Sequence, residues 1–231
     1  MSGRAAVTPP AALLLDFDGL ILDTETCTYE AVVEVFAAHS QPVDLAWWHT
    51  LLGTADHPHW TERLAAQLGR PVDRASLVAR REERRLPRIR ELAPREGLVD
   101  LLEGAGRAGV PCAVVSSSAS GWVVPHLDRL GLRHRFRAVV TRDDVDGDAT
   151  RTKPAPDLYL VAADALAVDP ARCVVLEDSP NGVAAGRAAG MVVVAVPVPM
   201  TRTLDFGAAH RTVGSLADLD LGALAALVTP S

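Results

Sequence analysis

Five short runs of aliphatic and β-branched residues, at 13–18, 110–115, 138–141, 173–177 and 192–196, alternate with segments of helical periodicity along the 231-residue chain. Strands covered on both faces read as continuous apolar runs, and strands separated by helices join in parallel. The rhythm therefore predicts an α/β fold with a doubly wound, Rossmann-like parallel sheet. Residues 97–108 show the helical type: Leu98, Leu101, Leu102 and Ala105 fall at i, i+3, i+4 and i+7, and Gly109 suits the position beyond the helix end. The stretch from 23 to 93 breaks the rhythm, because it has no convincing strand and is too long for a structureless loop. Tyr29, Val32, Val33 and Phe36 mark one amphipathic helix there, and Trp60, Leu64 and Leu68 a second. Residues 73–92 form a charged third, whose arginines read as a solvated face. The predicted division is an α/β catalytic core of residues 1–22 and 94–231 with a small helical insert, 23–93, after the first strand.

Two of the strand-like runs end in acids. In Leu13-Leu14-Leu15-Asp16-Phe17-Asp18-Gly19 the acids stand one residue apart, so they share a side of an extended backbone, and Gly19 lets the chain turn behind them. Cys173-Val174-Val175-Leu176-Glu177-Asp178-Ser179-Pro180 repeats the theme, with Ser179 and Pro180 suited to start a helix. Carboxylates at buried strand ends are costly unless a cation neutralises them. A third strand ends in hydroxyls, where Ser116 and Ser117 with nearby backbone N–H groups can hold phosphate oxygens. Of the 23 basic residues only Lys153 is lysine, and it stands just before a helix whose first turn tolerates proline. In a chain so biased toward arginine, that lysine marks a place where a compact ammonium is required.

All strand C-terminal ends of a parallel sheet lie on one edge, where ligands bind, so Asp16, Asp18, Ser116, Lys153, Glu177 and Asp178 should converge there. Oxygen-only acidic ligands suit Mg²⁺ rather than zinc. A carboxylate nucleophile, a hard cation, a hydroxyl and an ammonium together fit attack on phosphorus in a small phosphorylated substrate. The formal charge of −6 lacks the basic excess that nucleic acid or an anionic membrane attracts. Cys27, Cys112 and Cys173 lack metal spacing and read as buried free thiols. The N-terminal segment has no signal-peptide layout and no run approaches membrane-spanning length, so a cytoplasmic protein, monomeric or weakly dimeric, is expected.

In this order and at these positions, Asp16-x-Asp18-Gly19, Ser116, Lys153 and Glu177-Asp178 resemble the four motifs of the haloacid dehalogenase superfamily, with a likeness spanning residues 13–198. DGLILDTE, KPAPDLY and LEDSPNGVAAGRAAG resemble the branch that contains β-phosphoglucomutase and related small-molecule phosphatases. The resemblance implies Asp16 as phosphorylated nucleophile and Asp18 as general acid, then base. It implies Mg²⁺ bound by Asp16, the Asp18 carbonyl and Asp178, with Glu177 acting through water, and a phosphoryl group held by Ser116 and Lys153. It further implies that 23–93 is a cap, with Asp23-Thr24 as its hinge. Within the cap, Thr24, His57 and Trp60 are candidates to touch substrate, alongside Trp47, Trp48, His49 and His59.

Departures from the mutase pattern separate the readings. The histidine expected after the cap start is Thr28, the lysine and arginine of the cap loop are Leu52 and Asp56, and the basic residue after the serine motif is Ala119. These changes remove cations that would grip a second phosphate, so hydrolysis of a phosphomonoester through an aspartyl phosphate leads, with a phosphosugar mutase as runner-up and a catalytically silent binding module third. Two other matches carry nothing. Gly104-Ala105-Gly106-Arg107-Ala108-Gly109 has dinucleotide-loop spacing but ends a helix, and Asp144-Val145-Asp146-Gly147-Asp148 reads as an acidic surface loop.

Overall fold

A computed structural model describes residues 8–53 and 57–228. After β1 (Ala12–Leu15) come four helices, α1 (Thr24–Ala37), α2 (Leu45–His49), α3 (Trp60–Leu68) and α4 (Arg74–Glu91). There follow α5 (Leu98–Arg107), β2 (Cys112–Val115), α6 (Ser120–Arg129), β3 (Ala138–Val140), α7 (Asp157–Leu166) and β4 (Cys173–Glu177). The chain continues through α8 (Pro180–Ala188), β5 (Val192–Ala195), β6 (Arg211–Thr212) and α9 (Leu221–Val228). The strands form one parallel sheet in the order β3-β2-β1-β4-β5-β6.

Period-two alternation sends successive strand residues into two different cores. Leu13 and Leu15, Val114, Val174 and Leu176, and Val194 pack with α5, α6 and α9 on one face. Ala12, Leu14, Ala113, Val175 and Val193 pack with α7 and α8 on the other. Helices on both faces make the sheet doubly wound, as the sequence predicts. Because strand order reverses between β1 and β4, a crevice opens beyond their C-terminal ends, and both of these strands end in acids.

The helices α1–α4 have an apolar cluster of their own, with Val32, Val35, Phe36, Trp48, Leu52, Trp60, Leu64 and Leu77 buried in it. Asp23 caps α1 by accepting from the Thr26 N–H, and Asp73 caps α4 through the N–H groups of Ala75 and Ser76. The chain leaves and rejoins the sheet side by side, since the Arg95 N–H donates to the Ile21 carbonyl at 3.0 Å. Two expectations shift in detail. On α1 the buried stripe runs through Cys27, Ala31, Val32, Val35 and Phe36, leaving Val33 only half-buried. Pro154 and Pro156 precede α7 rather than entering its first turn. Among the described residues no helix is long and apolar enough to cross a membrane.

Candidate active site

Lys153 is the centre of the site. Its side chain is 1% exposed, and Nζ donates to the Val115 carbonyl at 2.8 Å, to Glu177 Oε1 at 2.6 Å and to Asp16 Oδ1. These acceptors come from the ends of β1, β2 and β4, so one ammonium ties together three neighbouring strands. Burial alone would lower its pKa, but the Asp16 and Glu177 carboxylates outweigh that and hold it above the ordinary lysine value. Tyr159 donates its hydroxyl to the same Glu177 Oε1 at 2.7 Å, and its ring lies 5.1 Å from the ammonium. Glu177 Oε2 accepts from the N–H groups of Asp178 and Ser179 and from Ser179 Oγ at 3.1–3.3 Å. Both Glu177 oxygens are thus occupied by protein donors, and this carboxylate acts on the site by fixing Lys153.

Asp178 is the opposite case. It is 2% exposed, and its Oδ2 is buried with no hydrogen-bond partner. Burial first, then the Asp16 and Glu177 charges, push its carboxyl well above the usual carboxylate range. Asp16 is raised to about 8 by burial, with Lys153 opposing and Glu177 adding to the rise. Oxygens of Asp16, Glu177 and Asp178 lie within 4.8 Å of one another, and only the first and second of these residues bond the Lys153 ammonium. A hard divalent cation fits this arrangement, because it would satisfy the orphan oxygen and cancel the surplus negative charge. The turn behind Asp18 packs closely against the same Asp178 carboxylate. Gly19 has φ +90°, and a Cβ there would collide with Asp178 Oδ2. Gly19→Ala is expected to cost on the order of 1–3 kcal/mol of stability and to weaken Mg²⁺ binding, read by urea unfolding and by metal titration; unchanged values in both would refute the crowding.

Asp18 is held by hydroxyl and indole donors. Thr24 Oγ1 donates to its Oδ1 at 2.7 Å and Trp122 Nε1 to the same oxygen at 2.9 Å, while Ser118 Oγ donates to Oδ2 at 2.7 Å. Ser116 is 1% exposed, and its hydroxyl accepts from the Ser118 N–H at 3.0 Å. Ser117 lines the site beside Ser116 and donates to the Gly53 carbonyl at 3.4 Å, and Asn181 donates to the Leu52 carbonyl at 2.7 Å, so both tie the segment before residue 54 to the sheet edge. Asp56 lies outside the described residues.

A cleft of about 460 Å³ runs from Asp16, Asp18 and Ser116 outward between the sheet edge and the α1–α4 helices. Thr24, His57 and Trp60 all line it, with Trp60 buried and His57 exposed. It also contains residues that the sequence reading passed over. Glu25 lines the cleft and is raised to about 8 by burial and then by the Asp18 and Asp16 charges. Trp122 both bonds Asp18 and walls the cleft. Arg81 and Arg85 line it as well, which corrects their reading as part of a solvated face: their side chains are 19% and 15% exposed. Arg95, outside the cleft, donates to the carbonyls of Gly19 at 2.8 Å and Val196 at 2.9 Å and so braces the turn behind Asp18. As one arginine in an arginine-rich chain, it carried no signal in the sequence.

Fold and site together define an α/β protein with an acidic centre, built around one lysine, at the switch point of a doubly wound sheet. Comparison with known proteins narrows the class. Residues 10–190 match the haloacid dehalogenase-like hydrolases. The chain is 39% identical to YhcW of Bacillus subtilis (strain 168) over 213 residues, which covers 92% of this chain and 95% of that one. It is 36% identical over 194 residues to the fructose-1-phosphate phosphatase YqaB of Escherichia coli (strain K12), covering 80% and 96%. A haloacid dehalogenase family hydrolase from Deinococcus radiodurans R1, solved with bound phosphate and sodium, superimposes with a TM-score of 0.74 at 30% identity, covering 96% of this chain and 99% of that one. The chain belongs to the haloacid dehalogenase-like hydrolase family.

Proposed function

We propose that the protein is a Mg²⁺-dependent phosphatase of small phosphomonoesters that works through a phosphorylated Asp16. The observation that carries this reading is the Lys153 cluster: one carboxylate, Asp16, held by an ammonium beside the orphan oxygen of Asp178, at the inner end of the cleft. Asp16, Asp178 and the Asp18 carbonyl would hold the metal. When bound, Mg²⁺ would offset charge on the phosphoryl oxygens. The chain's own groups do the rest. Lys153 fixes the Asp16 carboxylate for attack on phosphorus and Ser116 offers its hydroxyl to a phosphoryl oxygen; because all three Lys153 N–H groups are taken by Val115, Glu177 and Asp16, Lys153 would hold a phosphoryl oxygen by exchanging one of those bonds. As the Asp16–phosphorus bond forms, the ester bond breaks and Asp18 gives its proton to the departing alcohol oxygen. Asp18 Oδ2 accepts one protein hydrogen bond where Oδ1 accepts two, which leaves Oδ2 the freer oxygen for that proton. Asp18 then takes a proton from water as the water attacks phosphorus, releasing phosphate and restoring Asp16.

Residues 23–93 form the cap in this reading and close over the cleft, with Asp23-Thr24 as hinge; Thr24, through its bond to Asp18, would report cap position to the proton donor. The similarity to a named sugar-phosphate phosphatase over four-fifths of the chain supports hydrolysis rather than isomerisation. A panel of small phosphomonoesters is expected to release inorganic phosphate with Mg²⁺, to fall to background in EDTA, and to recover when Mg²⁺ is restored. No release from any member, or release indifferent to chelation, would overturn the proposal.

A further inference from the structure

Arg95 directs its charge at neutral oxygens. It stands where the chain returns from α4 to the sheet, and its main chain is fixed on both sides. Its N–H donates to the Ile21 carbonyl at 3.0 Å, and its carbonyl accepts from the Leu98 N–H at 3.1 Å. Among the described residues the half-buried guanidinium forms no ion pair. Nη1 donates to the carbonyls of Gly19 at 2.8 Å and Val196 at 2.9 Å, and Nη2 to the Pro197 carbonyl at 3.2 Å. Both sets of acceptors adjoin the Glu177-Asp178 strand end. A Cβ at Gly19 would lie 1.9 Å from Asp178 Oδ2, the orphan oxygen, and the Val196 N–H donates to the Glu177 carbonyl at 2.6 Å. Burial presses Arg95 below its ordinary pKa while the Asp178 and Asp23 charges oppose it, so Asp178 is within electrostatic reach of the guanidinium. Gly19 itself is held through both of its peptide groups. Its N–H donates to the Leu22 carbonyl at 2.6 Å, its carbonyl is the one Arg95 holds, and φ between them is +90°. The Asp18–Gly19 peptide is planar and trans, so the Asp18 carbonyl points opposite to the Gly19 N–H and takes its direction from this turn.

We infer that Arg95 is a positioning residue for the metal: it orients the Asp18 carbonyl and steadies Asp178 from behind, without touching metal or substrate. This rests on the Mg²⁺ assignment above. The arrangement requires a fork and not a charge alone, because one Nη serves two carbonyls while the other reaches a third. An ammonium on a flexible stem does not reproduce that geometry. The test titrates Mg²⁺ calorimetrically into metal-free native, Arg95→Ala and Arg95→Lys protein without substrate. The dissociation constant is expected to rise about 10–100-fold in Arg95→Ala. In Arg95→Lys, which keeps the charge and loses the fork, it should stay at least about fivefold above native. The Mg²⁺ concentration for half-maximal phosphate release should rise in step, while kcat at saturating Mg²⁺ falls less than about threefold. Guanidinium chloride, well below its unfolding range, is expected to lower the Arg95→Ala constant at least about threefold where sodium chloride of the same ionic strength does not. Urea unfolding in EDTA reports the fold of each variant, and Arg95→Lys carries the test if the alanine protein does not fold. Mg²⁺ affinity within about twofold of native in a folded variant, full recovery by lysine, or no recovery by guanidinium would overturn the inference while leaving the phosphatase reading intact. Weakened Mg²⁺ binding that guanidinium restores, in a protein whose native form releases no phosphate, would retain the positioning role and remove the phosphatase reading.

Discussion

Asp16→Asn is expected to lower phosphate release by on the order of 10⁴-fold or more, with substrate binding retained. The substitution is nearly isosteric, and the amide oxygen still accepts from Lys153, so the strand ends stay tied. What disappears is the nucleophile, since an amide has no carboxylate oxygen to form a bond to phosphorus. Stability should hold or rise. Asp16 is pushed up to about 8 by burial and by its acidic neighbours, so its charge is a strain on the folded state that asparagine relieves. Holding stability while losing turnover is the trade expected where carboxylates are kept together for chemistry. Phosphate release in the steady state, paired with urea unfolding of both proteins, checks the two halves together. Turnover within tenfold of the native enzyme would end the assignment of Asp16 as nucleophile.

The groups at the inner end of the cleft were legible because each carries a local signal. Asp16 and Asp18 close an apolar run, Glu177 and Asp178 close another, and Lys153 is the one lysine in the chain. Parallel-sheet topology then does the assembling, because the C-terminal ends of β1, β2 and β4 are adjacent whatever the sequence distance between them. Elements without a local signal stayed hidden. Strand β6 is Arg211–Thr212, two exposed residues whose pairing with β5 leaves no apolar trace. Helix α2 has five residues, too few for a period, and depends on the Asp44 cap and the burial of Trp48. Arg81 and Arg85 were misread for a different reason. On a highly charged helix every face looks solvated, and what covers α4 is decided by α1 and by the Trp60 and Trp122 rings, residues remote in sequence. The chemistry of the inner cleft is therefore written in strand ends. That of the outer cleft comes from tertiary packing, which a single sequence does not display.

Lys153→Met should cost about 3–5 kcal/mol of stability, the range for removing one partner of a buried ion pair. For a chain of this length that corresponds to a fall in Tm of roughly 6–20 °C. Methionine fills much of the same space, so the loss measures the carboxylates left behind rather than a cavity. Glu177 would keep Tyr159 and its backbone donors, whereas Asp16 would lose the hydrogen bond to its Oδ1. Unfolding should be measured in EDTA, so that no bound metal substitutes for the ammonium. Adding Glu177→Gln tests the origin of the loss, because it removes a buried charge that lysine no longer balances. The double variant should be more stable than the sum of the single effects predicts, by about 1–3 kcal/mol. Additivity within about 0.5 kcal/mol, or a loss under about 1 kcal/mol for Lys153→Met, would show that the ammonium does not hold these strand ends together. Turnover should fall for the same physical reason. Lys153 is what lowers Asp16 against burial and its acidic neighbours, so without it the carboxyl is pushed further up and stays protonated over more of the pH range. A protonated Asp16 cannot attack phosphorus, and one buried ammonium thus supports both the fold at its switch point and the nucleophile that the fold presents.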